Sequence, residues 1–134
     1  SEEALAFHTH QHLDVFIHGV EVGVPGEIGI DPEQGFLTVL HTHGSDGVIH
    51  VEAPRRGNFT LGQFFDVWGV RLTPRCLGSY CGDGGDERVR VFVNGELAPS
   101  HPDTVPLRDH DEIVVAFGAG NELPDPVPSI YRFE

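Results

Sequence analysis

The sequence contains neither lysine nor methionine, and all 8 of its basic residues are arginine. The absence of lysine excludes Schiff-base chemistry on a lysine amine, and the absence of methionine excludes copper(I) sites built from thioethers. No apolar run reaches the roughly 18 residues that a membrane-spanning helix needs, so no membrane span is expected. An initiator methionine is also missing, so we expect that the start of the chain was removed by signal cleavage, by tag removal or by the choice of the expressed segment.

Positive charge is scarce as well. The 134 residues carry 8 basic and 21 acidic side chains, which gives a formal net charge of −13 with every histidine neutral. A chain this acidic is repelled by nucleic acid and by anionic membrane surfaces, and it attracts cations. The length is that of one ordinary domain, so we predict a single domain over residues 1–134.

The chain has 2 cysteines, Cys76 and Cys81, in the segment RCLGSYCGDGG. Their C-x4-C spacing differs from the C-x2-C pairs of zinc ribbons. A local disulfide fits this spacing better, and reduced structural thiols are the alternative. Because disulfides persist mainly outside the cytosol, a disulfide here predicts an extracytoplasmic protein that is secreted, periplasmic or held at the cell surface.

Two segments alternate apolar and polar residues and then turn at a residue pair typical of hairpins. The segment HLDVFIHGVEVGVP turns at His18-Gly19 and belongs to a histidine-rich first hairpin that runs from residue 1 into the twenties. The segment RVRVFVNGELAP turns at Asn94-Gly95. Both segments therefore predict paired antiparallel strands.

One helix is predicted over residues 60–69, in the segment TLGQFFDVWG. Thr60 and Gln63 have the spacing of a capping box, and Gly69 is a typical residue to end a helix. Apolar residues recur at helical spacing from Leu61 to Trp68, so one face of the helix is apolar. This face predicts packing against a sheet, and a ligand pocket lined by the aromatic stripe is the alternative.

Residues 88–118 combine the VFVNGEL hairpin with RDHDEIVVAFG, a run that leads into a final apolar strand. This arrangement resembles the end of β-grasp domains of the sulfur-carrier and ubiquitin-like kind. The resemblance implies an α+β fold in which a small mixed sheet of hairpins packs on one short helix. Carrier function does not transfer, because the chain continues past this point instead of ending in Gly-Gly.

The continuation, residues 119–134, contains Pro124, Pro126 and Pro128. Proline-rich segments favour extended conformations, so we predict an extended C-terminal strap. Three apolar residues near its end are expected to pin the strap to the domain: Ile130, Tyr131 and Phe133.

Residues 36–54 hold the most distinctive pattern, in which the strand-like segments FLTVLHTH and VIHVEAP flank the turn-forming GSDG. We predict that they pair as a hairpin. With an even loop, His41 lies opposite His50, and both share one face with His43 and Glu52. The apolar residues then share the other face, which supports this register.

A second register of the same hairpin remains open. A three-residue loop with Gly47 in a G1 bulge would shift the pairing by one residue and turn His50 away from His41. In that register the two imidazoles could not bind one ion.

In the even register, His41, His43 and His50 form a face of nitrogen ligands suited to zinc or copper(II). The alternating segment FHTHQHLDVF is expected to add His10 or His12 as a further ligand. The alternative is that HTHQH binds metal only incidentally, as an affinity tag does. Turn or surface roles are expected for the remaining histidines in isolated positions: His18, His101 and His110.

The segments LHTHGSDGVIHVEAP and FTLGQFFDVWGV are similar to a group of uncharacterised exported bacterial and archaeal proteins. That group shares an HTH pattern followed by GVIHxE, an LGQFFxxWG helix and a later NG hairpin, and the similarity covers most of the chain. The resemblance implies an extracytoplasmic setting and names no reaction.

These patterns leave three functions open. The first is an extracytoplasmic metal-binding protein that holds copper(II) or zinc, with an exported protein as a second expected partner. The second is a small zinc hydrolase or hydro-lyase, whose three histidines would resemble the zinc site of alpha carbonic anhydrases and whose Glu52 would act as base or orienter. The third is a non-catalytic interaction domain with incidental histidines.

Overall fold

The computed structural model describes residues 7–31 and 36–133, and it shows an α+β protein with one helix on a mixed sheet. The helix, α1, spans Leu61–Trp68. Within the described residues, short 3-10 turns lie at Pro102–Thr104 and Gly120–Glu122. The strands are, in chain order, β1 (Phe7–Ile17), β2 (Val20–Val22), β3 (Ile30–Asp31), β4 (Phe36–Leu37), β5 (Leu40–His41), β6 (Val48–Ala53), β7 (Cys76–Leu77), β8 (Tyr80–Cys81), β9 (Arg88–Val93), β10 (Glu96–Leu97) and β11 (Glu112–Gly118).

Seven strands form the main sheet, in the order β10-β9-β11-β1-β6-β5, with β2 paired to the last residues of β1. The strands β1 and β11 lie side by side in the centre of the sheet and run parallel. The other pairings in this sheet are antiparallel. The predicted α+β class, with a small mixed sheet of hairpins and one short helix, is therefore confirmed.

The two faces of the main sheet differ in chemistry, because successive side chains of a strand point to opposite sides. One face is apolar, and its side chains pack in one buried cluster with those of α1, as Leu13, Ile49 and Val115 do. The opposite face carries a smaller apolar cluster around Phe16 and Val114. Histidines occupy the other end of that face, towards the start of β1 and the neighbouring part of β6.

The helix begins and ends where the sequence predicts. The Thr60 side chain accepts a hydrogen bond from the backbone of Gln63, whose side chain accepts one from the backbone of Thr60, so the capping box is present. Gly69 ends the helix with a φ of 82°, in the left-handed region. Trp68 is only partly buried, so the fully buried residues of the apolar stripe are Leu61, Phe64 and Phe65.

Both predicted hairpin turns are confirmed. His18 and Gly19 join β1 to β2 with φ values of 50° and 81°. Asn94 and Gly95 join β9 to β10 with φ values of 53° and 88°. Positive φ at both central residues matches the right-handed twist of the paired strands.

The predicted disulfide is also confirmed, since Cys76 and Cys81 are bonded to each other across the β7–β8 hairpin. Within residues 7–31 and 36–133, no helix has the length and apolar character needed to cross a bilayer.

The hairpin within residues 36–54 adopts the even register, because His41 pairs with His50 and Leu40 with Val51. Although Gly47 has a φ of 80°, the shifted register with a G1 bulge is wrong. The first strand of this hairpin is shorter than predicted. Its early residues belong to β4, which pairs with β3 in a separate two-stranded sheet.

The segment after β11 crosses the sheet face opposite α1. Leu123 and Val127 pack against the apolar cluster there. Near the end of the segment, the Tyr131 ring stacks on His12, with 3.6 Å between the ring centroids. Ile130 is 87 % exposed and does not pin the segment, contrary to the prediction for this residue.

Candidate metal centre

Strand pairing gathers five imidazoles on the sheet face opposite α1. His50 on β6 is the central residue, because it pairs with His10 on β1 and with His41 on β5. His8 lies two residues before His10, and His43 lies two residues after His41. The rings are in contact, with centroid separations of 4.5 Å for His8–His10, 4.6 Å for His10–His50 and 4.6 Å for His43–His50. We call these five residues the histidine cluster.

The histidine cluster contains an inner triad of His41, His43 and His50, whose ligand nitrogens all lie within 4.8 Å of one another. His41 is fully buried, and its Nδ1 lies 2.7 Å from the carbonyl oxygen of Thr38. A carbonyl oxygen can only accept a hydrogen bond, so Nδ1 carries the proton. A backbone acceptor on one ring nitrogen commonly orients a histidine that binds metal through the other.

The second nitrogen of His41, Nε2, is buried and has no hydrogen-bond partner among the residues that the structure describes. Glu52 Oε1 lies 2.7 Å from Nε2, but the contact falls outside hydrogen-bonding geometry. A metal ion bound to Nε2 would give this nitrogen a direct partner.

An outer triad consists of His8, His10 and His50, and its ligand nitrogens also lie within 4.8 Å of one another. Glu52 connects the two triads, because its Oε2 lies 3.2 Å from the Nε2 of His8 while its Oε1 contacts His41. The side chain of His8 is 40 % exposed, whereas that of His41 is fully buried. The outer triad is therefore the more accessible of the two.

Two residues of the histidine cluster, His10 and His50, favour the neutral form of the imidazole. Burial, followed by the imidazoles of His10 and His43, lowers the pKa of His50 from 6.5 to about 4. Burial and the neighbouring His8 also lower the pKa of His10. Only a neutral imidazole can donate its lone pair to a metal. At neutral pH both residues are therefore in the form that binds metal.

A cleft with a volume of about 380 Å³ opens beside the histidine cluster. His10 and His50 line one side of this cleft, and Tyr131 and Phe133 from the C-terminal segment line another. The Phe133 ring stacks on His110, with 4.6 Å between the ring centroids. A ligand in the cleft would therefore be in contact with both the cluster and the C-terminal segment.

No family model, no curated protein and no solved structure matches this chain at a significant level. The similarity to exported bacterial and archaeal proteins therefore stays a prediction. The function of the centre has to be inferred from its residues.

The spacing of the imidazoles is close to what a metal ion needs. Zn–N bonds of 2.0 to 2.1 Å place tetrahedral nitrogen ligands about 3.4 Å apart. The nitrogens of each triad lie within 4.8 Å, so they would have to approach by about 1.4 Å at most. Small rotations of the exposed His8 or His43 rings could supply this movement, whereas His41 is held by its bond to Thr38.

The structure does not bring His12 together with the histidine cluster, although the sequence predicts His12 or His10 as a further ligand. Its Nδ1 lies 2.6 Å from Glu112 Oε1, and its Nε2 lies 2.9 Å from the carbonyl oxygen of Asp46. Burial lowers the pKa of His12, but the bond to Glu112 and the charge of nearby Asp14 outweigh burial and raise the pKa overall. His10, in contrast, lies directly beside His50.

The remaining histidines occupy exposed positions, as the sequence predicts. His18 is a turn residue whose Nδ1 lies 3.0 Å from Glu122, and His101 precedes a 3-10 turn. His110 is exposed and lines the cleft. His8 is not among the ligands predicted by name, although it alternates with His10 in the segment from which a further ligand is expected. The pairing of His12 with Glu112 had no such local signal.

Proposed function

We propose that this chain is an extracytoplasmic metal-binding protein that holds copper(II) or zinc through His41, His43 and His50. The observation that carries this proposal is the convergence of the three ligand nitrogens to within 4.8 Å of one another around the buried His41. Its ring is held in place by the Thr38 carbonyl, so Nε2 is already oriented towards a ligand. His10 is the best-placed fourth ligand, because it pairs directly with His50.

The charge of the chain supports binding of a cation. The formal net charge is −13, and Glu52 lies between the two triads. The carboxylate partly compensates the charge of a bound ion, while neutral imidazoles supply the bonds. Zinc and copper(II) are the ions that imidazole binds well, and copper(II) is the tighter of the two by the general affinity order.

The disulfide between Cys76 and Cys81 supports the extracytoplasmic part of the proposal. Such bonds form and persist in oxidising compartments and are rare in the cytosol. An exported metal-binding protein would meet its ion, and any exported partner, in that setting.

We also infer that the fold belongs to the β-grasp type. Its support is the parallel pair β1–β11 in the centre of the sheet, flanked by hairpins on both sides, with α1 across one face. On this interpretation, the C-terminal segment is a proline-rich strap over the opposite face, where Leu123 and Val127 make apolar contacts.

A zinc hydrolase or hydro-lyase is the second candidate, and the cleft beside His10 and His50 is the observation that favours it. Three histidines on zinc leave one position for water, whose pKa then falls to about 7. Glu52 would orient His41 and His8 in such an enzyme, because both of its oxygens already lie against these rings.

The proposal is tested by titrating the metal-free protein, without a histidine tag, with zinc and copper(II) at pH 7.5. His50→Ala removes the residue that both triads share, so we expect its affinity to fall by at least about 100-fold, given that even indirect support of a ligand is worth 10- to 100-fold. His101→Ala is the matched control and should bind as the parent does. Equal affinity of His50→Ala and the parent would overturn the proposal.

The same protein samples distinguish between the two candidate functions, a metal-binding protein and a zinc enzyme. The zinc-loaded parent is assayed for ester hydrolysis and for carbon dioxide hydration, with zinc-loaded His101→Ala as the active control. Turnover that disappears in His50→Ala would establish the hydrolase or hydro-lyase. Tight binding without turnover would establish the binding protein.

A further inference from the structure

A second group of metal-ligand side chains lies further along β1, outside the histidine cluster. His12, Asp14 and Glu112 each offer one ligand atom, and these atoms lie within 4.8 Å of one another. The parallel pairing of β1 with β11 produces this group, because it places Glu112 directly beside His12. We propose that these three residues form a second metal site, for a divalent cation that takes one nitrogen and two carboxylate ligands.

The orientation of His12 fits a metal ligand. Its Nε2 lies 2.9 Å from the carbonyl oxygen of Asp46, which can only accept, so Nε2 carries a proton. The other nitrogen, Nδ1, lies 2.6 Å from Glu112 Oε1 and 3.6 Å from Asp14 Oδ2. His41 shows the same arrangement, in which a backbone carbonyl fixes one nitrogen and the other is directed at potential partners.

Glu112 supplies an independent indication of a missing ligand. Its side chain is 1 % exposed, and Oε2 has no hydrogen-bond partner within the described residues. Burial of a carboxylate oxygen without a partner is costly, and a cation is the partner that compensates it best. Burial, followed by a side-chain hydrogen bond with Glu112, also raises the pKa of Asp14 to about 6, as expected where two carboxylates lie close together.

The bound ion would take the place of the proton between His12 Nδ1 and Glu112 Oε1. That proton passes to the solvent, so each ion bound releases a proton. The Tyr131 ring covers His12. Entry is therefore expected from the side of Asp14, whose side chain is 16 % exposed and lies next to the exposed Glu21.

The two sites differ in ligand chemistry. The histidine cluster offers nitrogen, which suits copper(II) and zinc, whereas the second site offers mainly carboxylate oxygen, which manganese(II) also accepts. Manganese(II) is the weakest binder in the general affinity order, and carboxylate ligands suit it better than imidazole does. It is therefore a selective probe for the second site.

The experiment uses His50→Ala as the background, because this change removes the shared residue of both triads and leaves the second site intact. Manganese(II) is titrated at pH 7.5 and followed by electron paramagnetic resonance. We expect one ion per chain, coupled to one nitrogen nucleus, that of His12. Adding Glu112→Gln should weaken binding by at least about tenfold, in line with the loss of one supporting group at a metal site.

Glu122→Gln in the same background is the matched control, since it removes one carboxylate from the exposed pair with His18, and it should leave manganese binding unchanged. If Glu112→Gln does not fold, Asp14→Asn replaces it with the same expected loss. Failure to bind manganese at millimolar concentration, or bound manganese without nitrogen coupling, would overturn the second site.

Zinc stoichiometry keeps this inference distinct from the proposed function. If both sites exist, the parent binds two ions tightly, His50→Ala and Glu112→Gln bind one each with that affinity, and the double variant binds none with that affinity. If only the second site exists, His50→Ala binds one ion, as the parent does. If only the histidine cluster binds, Glu112→Gln binds one ion, as the parent does.

Discussion

His41 and Thr38 are joined by a hydrogen bond of 2.7 Å from the ring Nδ1 to the backbone carbonyl oxygen. The acceptor belongs to the main chain, so it neither titrates over the ordinary pH range nor disappears when a side chain is changed. The bond therefore fixes which nitrogen of His41 faces the histidine cluster.

We predict that zinc binds His41 through Nε2 while Nδ1 keeps its proton. Two-bond proton–nitrogen correlation spectra of the zinc-loaded protein distinguish the two ring nitrogens and so report the tautomer. The exposed ring of His101 serves as the internal control, and its signals should not respond to zinc. Zinc on Nδ1 of His41 would show that the bond to Thr38 breaks and that the inner triad has a different geometry.

We predict that His50 contributes a loss of stability to the metal-free protein as the pH falls from 6.5 towards 4. The pKa of His50 is lowered to about 4, so in this window the native ring stays neutral while the unfolded ring takes up a proton. The unfolded state then binds more protons, and stability falls with pH. We expect about 1 to 2 kcal/mol from this residue, roughly half of what the full shift implies, because solvent screens a half-exposed ring.

Urea unfolding at pH 6.5 and pH 4.5 measures this loss in the parent and in His50→Ala. The variant should lose less stability between the two pH values, since it lacks the titrating ring. Parallel curves for the two proteins would mean that His50 does not contribute to the pH dependence.

We predict that Tyr131→Ala destabilises the metal-free protein by about 0.5 to 1.5 kcal/mol, the usual contribution of a ring pair. The reason is the stacking of Tyr131 on His12 at 3.6 Å with an interplanar angle of 5°. Ile130→Ala is the matched control. The Ile130 side chain is next to Tyr131 in the sequence but is 87 % exposed, so it should contribute little to stability. Chemical denaturation compares the two, and equal effects would contradict a specific role for the stacking.

We predict that Cys76→Ser with Cys81→Ser lowers the free energy of unfolding by about 2 kcal/mol, as the chain-entropy relation gives for so short a loop. Non-reducing mass spectrometry of protein from an oxidising compartment should show the bond. Two free thiols in that material would contradict the disulfide and therefore the stabilisation that it contributes.

The parts of the fold that depend on nearby residues could be predicted from the sequence. The capping box of Thr60 and Gln63 spans three residues, and the even register of His41 with His50 follows from the alternation of apolar residues on two adjacent strands. In each case the physical constraint acts within one turn or one hairpin. Such constraints are visible in the sequence alone.

The second site could not be predicted, because its residues meet through parallel strands that are distant in sequence. His12 and Glu112 are 100 residues apart, and local alternation does not specify the register between β1 and β11. The stacking of Tyr131 on His12 could not be predicted for a similar reason. An extended segment can cross a sheet at many positions, and local sequence does not specify which one. The sequence could therefore indicate His12 as a ligand without indicating which side chains would surround it.

The parallel pairing of β1 with β11 also affects the order in which the molecule is assembled. The β5–β6 hairpin that carries the inner triad closes over a short loop, whereas β1 must find β11 across most of the chain. Closing the longer loop is slower and costs more entropy. We expect an ion present during folding to bind the imidazole nitrogens of this hairpin before β1 has joined the sheet. Early metal binding would then favour refolding in the native register.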